Sequence, residues 1–243
     1  MLLLYYLLLC FQGGRKMFGL FSGGLTTELI LQYGVRVVII FLILPVHEYA
    51  HAWMAHKMGD DTAYYQGRLT LNPIAHVDII GAICLLLTGY GWAKPVPINP
   101  LRFKKYRAGI ALTALAGPVS NIIVAFIAMI VYKCLAYFGN FDYDNQMVWY
   151  IFTMISYFIS INLGLAVFNL LPIPPLDGSK VLSYFTPAKY EQWLARNAQV
   201  VHIIFIVVVF TGLLSIPLSL LSGLLYNLLN FLTMWIDLIA GVI

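Results

Sequence analysis

The length of the apolar runs constrains this chain more than any other feature. A hydrocarbon core of about 30 Å is crossed by about 20 helical residues. Inside it every backbone polar group needs a partner within the protein, which favours helices. Runs of that order extend from Met17 to Gln32, Arg36 to Lys57, Ala108 to Phe138, Val148 to Leu171, Ala198 to Leu218 and Ser222 to Ile243. Met1 to Phe11 and Ile79 to Tyr90 are too short to span and read as interfacial or re-entrant. Of the 243 residues 61% are hydrophobic and 10% charged, against roughly 25% charged in a soluble domain. The expected fold is therefore an all-α polytopic membrane protein with about six transmembrane helices, forming one membrane-embedded domain over residues 1–243.

The few charges report orientation. Lys57, Arg68, Lys94, Arg102, Lys104, Lys105 and Arg107 crowd one link, whereas the link from Gly139 to Gln146 carries only Asp142 and Asp144. The positive-inside rule makes the first link cytoplasmic. Lys180, Lys189 and Arg196, with Arg15 and Lys16, fall on the same side, so both termini are expected in the cytoplasm and Arg36 at an outer helix end. Basic residues confined to links, with no stripe of interleaved aromatics, argue against nucleic acid as a partner. Cys10, Cys84 and Cys134 form no CxxC pair, so a metal site here must use His and carboxylate.

Within the basic link, GRLTLNP from Gly67 to Pro73 has strand-like residues bounded by Gly and Pro, after the turn-prone Gly59-Asp60-Asp61, and reads as a short membrane-surface strand. KPVPINP, Lys94 to Pro100, must be extended, because its prolines exclude helix. Met1 to Phe11 lacks the basic start of a signal peptide. Gly13-Gly14 is encodable by a purine-rich ribosome-binding sequence, so translation is expected to begin at Met17, leaving residues 1–16 untranslated or interfacial.

The second apolar run contains HEYAH at 47 to 51. On a helix His47 and His51 share a face and can reach one ion, with Glu48 beside them near a water on that ion. Ionisable groups inside a span are costly and normally functional, so a purely structural polar patch is a weak explanation for three of them in five residues. Catalytic zinc generally takes three protein ligands and keeps one open position. Asp177, His76, Asp78, His202, Asp237 and Glu191 are the candidates for the third. Asp177 is favoured by context: it ends NLLPIPPLDG, Asn169 to Gly178, where three prolines break the fourth long run and call for a cavity at membrane depth. Its competing reading is a helix N-cap. His47 lies ten residues before Lys57, about 15 Å along a helix, which sets the site nearer the cytoplasmic side.

HEYAH at 47 to 51, GRLTLNP at 67 to 73, AGPVSN at 116 to 121 and NLLPIPPLDG at 169 to 178 together resemble the site-2 protease family of intramembrane zinc metalloproteases. The compact branch, without a PDZ module, is the closer likeness. Ser179 departs from it, standing where many members have a second glycine. The resemblance implies one Zn2+ held by His47, His51 and Asp177, and Glu48 as catalytic acid and base. It also implies Asn169 as a hydrogen-bond donor to the reacting carbonyl, against a reading in which Asn169 satisfies backbone opened by the prolines. Asn121 is similar in kind.

The implied function is hydrolysis of peptide bonds in transmembrane or membrane-associated protein substrates within the lipid bilayer. Such a substrate must unwind to expose its carbonyls, and strand addition to residues 67–73 would replace its lost bonds. A metal or solute transporter using intramembrane His and Asp is the alternative. A CAAX-type processing protease leaves the proline-broken LDG segment unexplained, and a catalytically dead scaffold would keep its function without Glu48. The sequence carries no signal for oligomeric state, cut site or regulation.

Overall fold

The computed structural model of the chain describes residues 27–88 and 91–242. Met1 to Phe11, most of Met17 to Gln32 and the expected start at Met17 lie outside the described residues. Among the described residues every regular element is helical, and the only β-type pairing is an isolated antiparallel bridge between Val77 and Ala93.

Helix α1 (Thr27–Val38) continues through a π turn at Ile39–Ile43 into α2 (Leu44–Met58) without a break. The helix boundary expected between Gln32 and Arg36 is therefore absent. Arg36 is buried, and its guanidinium donates to the carbonyl of Leu86 in the last turn of the short helix α3 (Ile79–Thr88). Carbonyls in a last turn have no partner in their own helix, so this one accepts the charge without an outer helix end. Helix α2 stops at Gly59, whose φ of 105° is left-handed and lets the Asp60 amide reach back to Ala55 at 2.9 Å.

The link that follows overturns one expectation. Residues 67–73 are not a strand: Gly67 turns with φ of 66°, and a one-turn helix begins at Pro73 with Asn72 as its cap. The backbone there is already committed locally. His76 Nε2 donates to the Thr70 carbonyl at 2.7 Å, and the Asn72 amide bonds to Thr70 Oγ1 at 3.2 Å. KPVPINP is extended as expected, up to a 3-10 turn at Pro100–Arg102.

Two long helices dominate the remainder, α4 (Tyr106–Phe138) and α5 (Gln146–Leu170), joined by the acidic link. After the proline break come α6 (Asp177–Ser183), α7 (Ala188–Arg196), α8 (Ala198–Phe210), α9 (Ser215–Leu232) and α10 (Met234–Ile239). Four helices are long and apolar enough to cross a membrane among the described residues, or five if the α7 and α8 pair, bent by 76°, counts as one. The expected count of about six is not confirmed by these residues, since one of the six runs, Met17 to Gln32, lies mostly outside them. The last break also moves, from Leu218–Ser222 to 211–214, because Gly212 takes a left-handed φ of 72° and Pro217 falls in the first turn of α9, where a missing amide costs nothing.

Helix α4 lies at the centre. Its Ala111, Ala114 and Gly117 and the Ala52 and Ala55 of α2 are all buried, and such small side chains let helix backbones approach closely where lipid gives no hydrophobic drive. Farther along, Ala125 and Met129 of α4 pack with Ile159 and Leu163 of α5 and Leu229 of α9.

Candidate metal centre

His47 and His51 stand one turn apart on α2, with ring centroids 4.6 Å apart and Nε2 atoms at 3.0 Å. Asp177 Oδ2 lies 3.3 Å from His47 Nε2 and 3.1 Å from His51 Nε2. All three residues are buried. The proline break brings Asp177 there. Pro172, Pro174 and Pro175 have no amide to continue α5, which ends at Leu170, and the chain folds back tightly enough that a Cβ on Gly178 would sit 2.1 Å from the Leu170 carbonyl oxygen. Asp177 is the first residue of α6, and Leu176 caps that helix without a side-chain bond, so the N-cap reading is not what the carboxylate does.

Helix α4 forms the other wall. A Cβ at Gly117 would meet His51 Nε2 at 2.4 Å and His47 Cε1 at 2.6 Å, so only glycine leaves the rings their space. One turn earlier the Thr113 carbonyl accepts from His51 Nδ1 at 2.7 Å. That bond puts the proton on Nδ1 and leaves the Nε2 lone pair facing the cluster, the usual orientation device for a metal-binding imidazole. His47 Nδ1 is buried with no partner among the described residues.

These residues fit zinc. Two imidazole nitrogens and a carboxylate oxygen are a donor set zinc accepts, and bonds of about 2.0–2.1 Å make tetrahedral edges of about 3.3–3.4 Å. The observed separations of 3.0, 3.1 and 3.3 Å are close to that face.

The other sequence candidates are engaged elsewhere. His76 bonds to Thr70, Asp78 Oδ1 accepts the Gly81 amide at 2.7 Å, His202 bonds to Ala198 on its own helix, Glu191 lies 3.7 Å from Arg107, and Asp237 pairs with Lys133 at 2.6 Å. Glu48 follows His47 on α2, and its Oε2 accepts the Val96 amide at 3.3 Å. Asn169 donates to Leu165 on its own helix at 3.0 Å, and Asn121 is buried with neither amide atom paired among the described residues. Sequence reasoning missed Gly117, the Thr113 carbonyl and Arg68. Arg68 is buried; desolvation pushes its pKa down, and the charge of Glu48 acts against that shift. In the sequence Arg68 is visible only as one basic residue of the link, inside GRLTLNP, while a backbone carbonyl leaves no signal.

Residues 135–214 match peptidase family M50. Several relatives are named as candidate zinc metalloproteases. YwhC of Bacillus subtilis (strain 168) is 41% identical over 181 residues, covering 73% of this chain and 80% of its own. Rip2 of Mycobacterium tuberculosis (strain ATCC 25618 / H37Rv) is 28% identical over 194 residues, covering 77% and 71%. MJ0611 of Methanocaldococcus jannaschii is 28% identical over 187 residues, covering 70% and 84%. No solved structure matches the chain. With the histidine pair, the broken LDG segment and long apolar helices in one molecule, the chain belongs to peptidase family M50, the site-2 protease family, and is a membrane zinc metalloprotease.

Proposed function

We propose that this protease hydrolyses peptide bonds of transmembrane or membrane-associated proteins, with His47, His51 and Asp177 as the zinc ligands and Glu48 as the proton carrier. The supporting observation is the meeting of three buried donor atoms from two chain segments more than a hundred residues apart, at a break in a spanning helix. When bound, zinc supplies Lewis acidity, which makes water more acidic and polarises a carbonyl.

Glu48 takes the proton released as water attacks the substrate carbonyl and gives it to the departing amine. Asn169 supplies a donor to the oxygen that becomes negative, exchanging its bond to Leu165 for one to substrate; losing such a donor costs about 10²–10³ in rate. Strand addition to residues 67–73 falls away, since that segment is turned back on itself. The basic link faces the cytoplasm, as does the chain's C-terminus when α7 and α8 make one span, and the site sits on that side.

Purified wild type and Glu48→Gln, each given a membrane-spanning reporter, test this reading. Cleavage by wild type and its loss in Glu48→Gln, with zinc content unchanged, is the expected result; equal cleavage by both rejects it. A transporter built on the same residues would yield no product with either protein.

A further inference from the structure

Three polar side chains in the link between α2 and α4 are buried although the link lies outside the spanning helices: Asp60, Arg68 and His76. Two of them hold the extended segment 93–99. Asp60 Oδ2 accepts the Asn99 amide at 2.6 Å, and the Arg68 guanidinium donates to the Lys94 carbonyl. Beside Arg68, the His76 carbonyl accepts the Lys94 amide at 2.8 Å, and Val77 bridges to Ala93. Between these two anchors Val96 donates its amide to Glu48.

The prolines make this register discrete. Pro95 and Pro97 have no amide hydrogen, so a slip of one residue in either direction would present Glu48 with a nitrogen that cannot donate. A clamp near Lys94 therefore decides whether the Val96 amide meets the carboxylate at all.

Arg68 is an expensive residue for a purely structural clamp. Its Nε is buried and finds no hydrogen-bond partner among the described residues, while its Nη2 donates to a neutral carbonyl. A buried charge kept in that state is explained by the Glu48 carboxylate, whose charge favours the cation and which accepts the Val96 amide of the segment that Arg68 holds. We infer that Arg68 is a positioning residue, which fixes segment 93–99 beside Glu48 so that the Val96 amide orients the carboxylate. This rests on Glu48 as the proton carrier, and adds a residue that touches neither zinc nor substrate.

The test compares full-length wild type, Arg68→Met, Arg68→Lys, Val96→Pro and Glu48→Gln for zinc content, kcat and KM on the membrane-spanning reporter. Arg68→Met should retain its zinc and keep KM within about twofold, while kcat falls about ten- to a hundredfold, as for other outer-shell partners of a metal site. Arg68→Lys should recover part of that loss, because an ammonium can still reach a carbonyl. Val96→Pro, which deletes the amide and leaves Arg68 in place, should lower kcat in the same way and carries the test should Arg68→Met fail to fold. The inference is overturned if Arg68→Met and Val96→Pro both keep kcat within about twofold of wild type, or if their whole loss comes through released zinc or raised KM. An active Glu48→Gln would instead overturn the proton-carrier reading.

Discussion

A methyl group at residue 117 would sit 2.4 Å from His51 Nε2 and 2.6 Å from His47 Cε1. Gly117→Ala is therefore expected to turn both imidazoles away from Asp177 and to lower zinc affinity at least about tenfold, the scale on which displaced outer partners act. Competition with a chromophoric chelator measures this, and wild-type affinity in the variant would mean the rings have room that the structure does not give them. At this scale much of the site was legible. HEYAH fixes its own geometry, because residues four apart on a helix face the same way. Gly117 was not legible as a wall of the site, since a glycine among small residues reads equally well as helix packing.

The decisive feature among the elements is the sharp return after α5. A Cβ on Gly178 would lie 2.1 Å from the Leu170 carbonyl oxygen and 2.5 Å from that of Leu171. Gly178→Ala is expected to push Asp177 off the histidines, lowering zinc content and cleavage together, whereas Ser179→Gly should keep both within about twofold, because the Ser179 hydroxyl donates to the Leu176 carbonyl on its own turn. Metal analysis beside a cleavage assay separates the two variants. The prolines made this break readable, since each removes an amide whatever the surroundings. The strand read into residues 67–73 failed for the converse reason: strand-like composition says nothing of Thr70, Asn72 and His76 satisfying one another locally.

Across the whole molecule, a buried ion pair ties the far end of α4 to α10. Lys133 Nζ lies 2.6 Å from Asp237 Oδ2, with both side chains 9% exposed. Lys133→Met strands the Asp237 carboxylate without its partner, so it should lower the melting temperature more than the double change Lys133→Met with Asp237→Leu, which removes both charges. Thermal unfolding in detergent measures the difference; a double variant no better than the single one would show that the pair does not act as a unit. Apolar length and link charges made the all-helical membrane class legible. They did not make the number of spans legible, because length alone cannot tell that α1 and α2 are one continuous helix, or that α7 and α8 meet at 76°.

Zinc-edge X-ray absorption on the purified protein bears most directly on the centre itself. Wild type should show one zinc per chain with two imidazoles and oxygen ligands at about 2.0–2.1 Å and no sulfur. Asp177→Ala should lose the metal or the carboxylate oxygen from that shell, while Glu48→Gln keeps both histidine and carboxylate ligation. Sulfur scattering at about 2.3 Å in wild type, or an unchanged spectrum and metal content in Asp177→Ala, would contradict a zinc centre built from His47, His51 and Asp177.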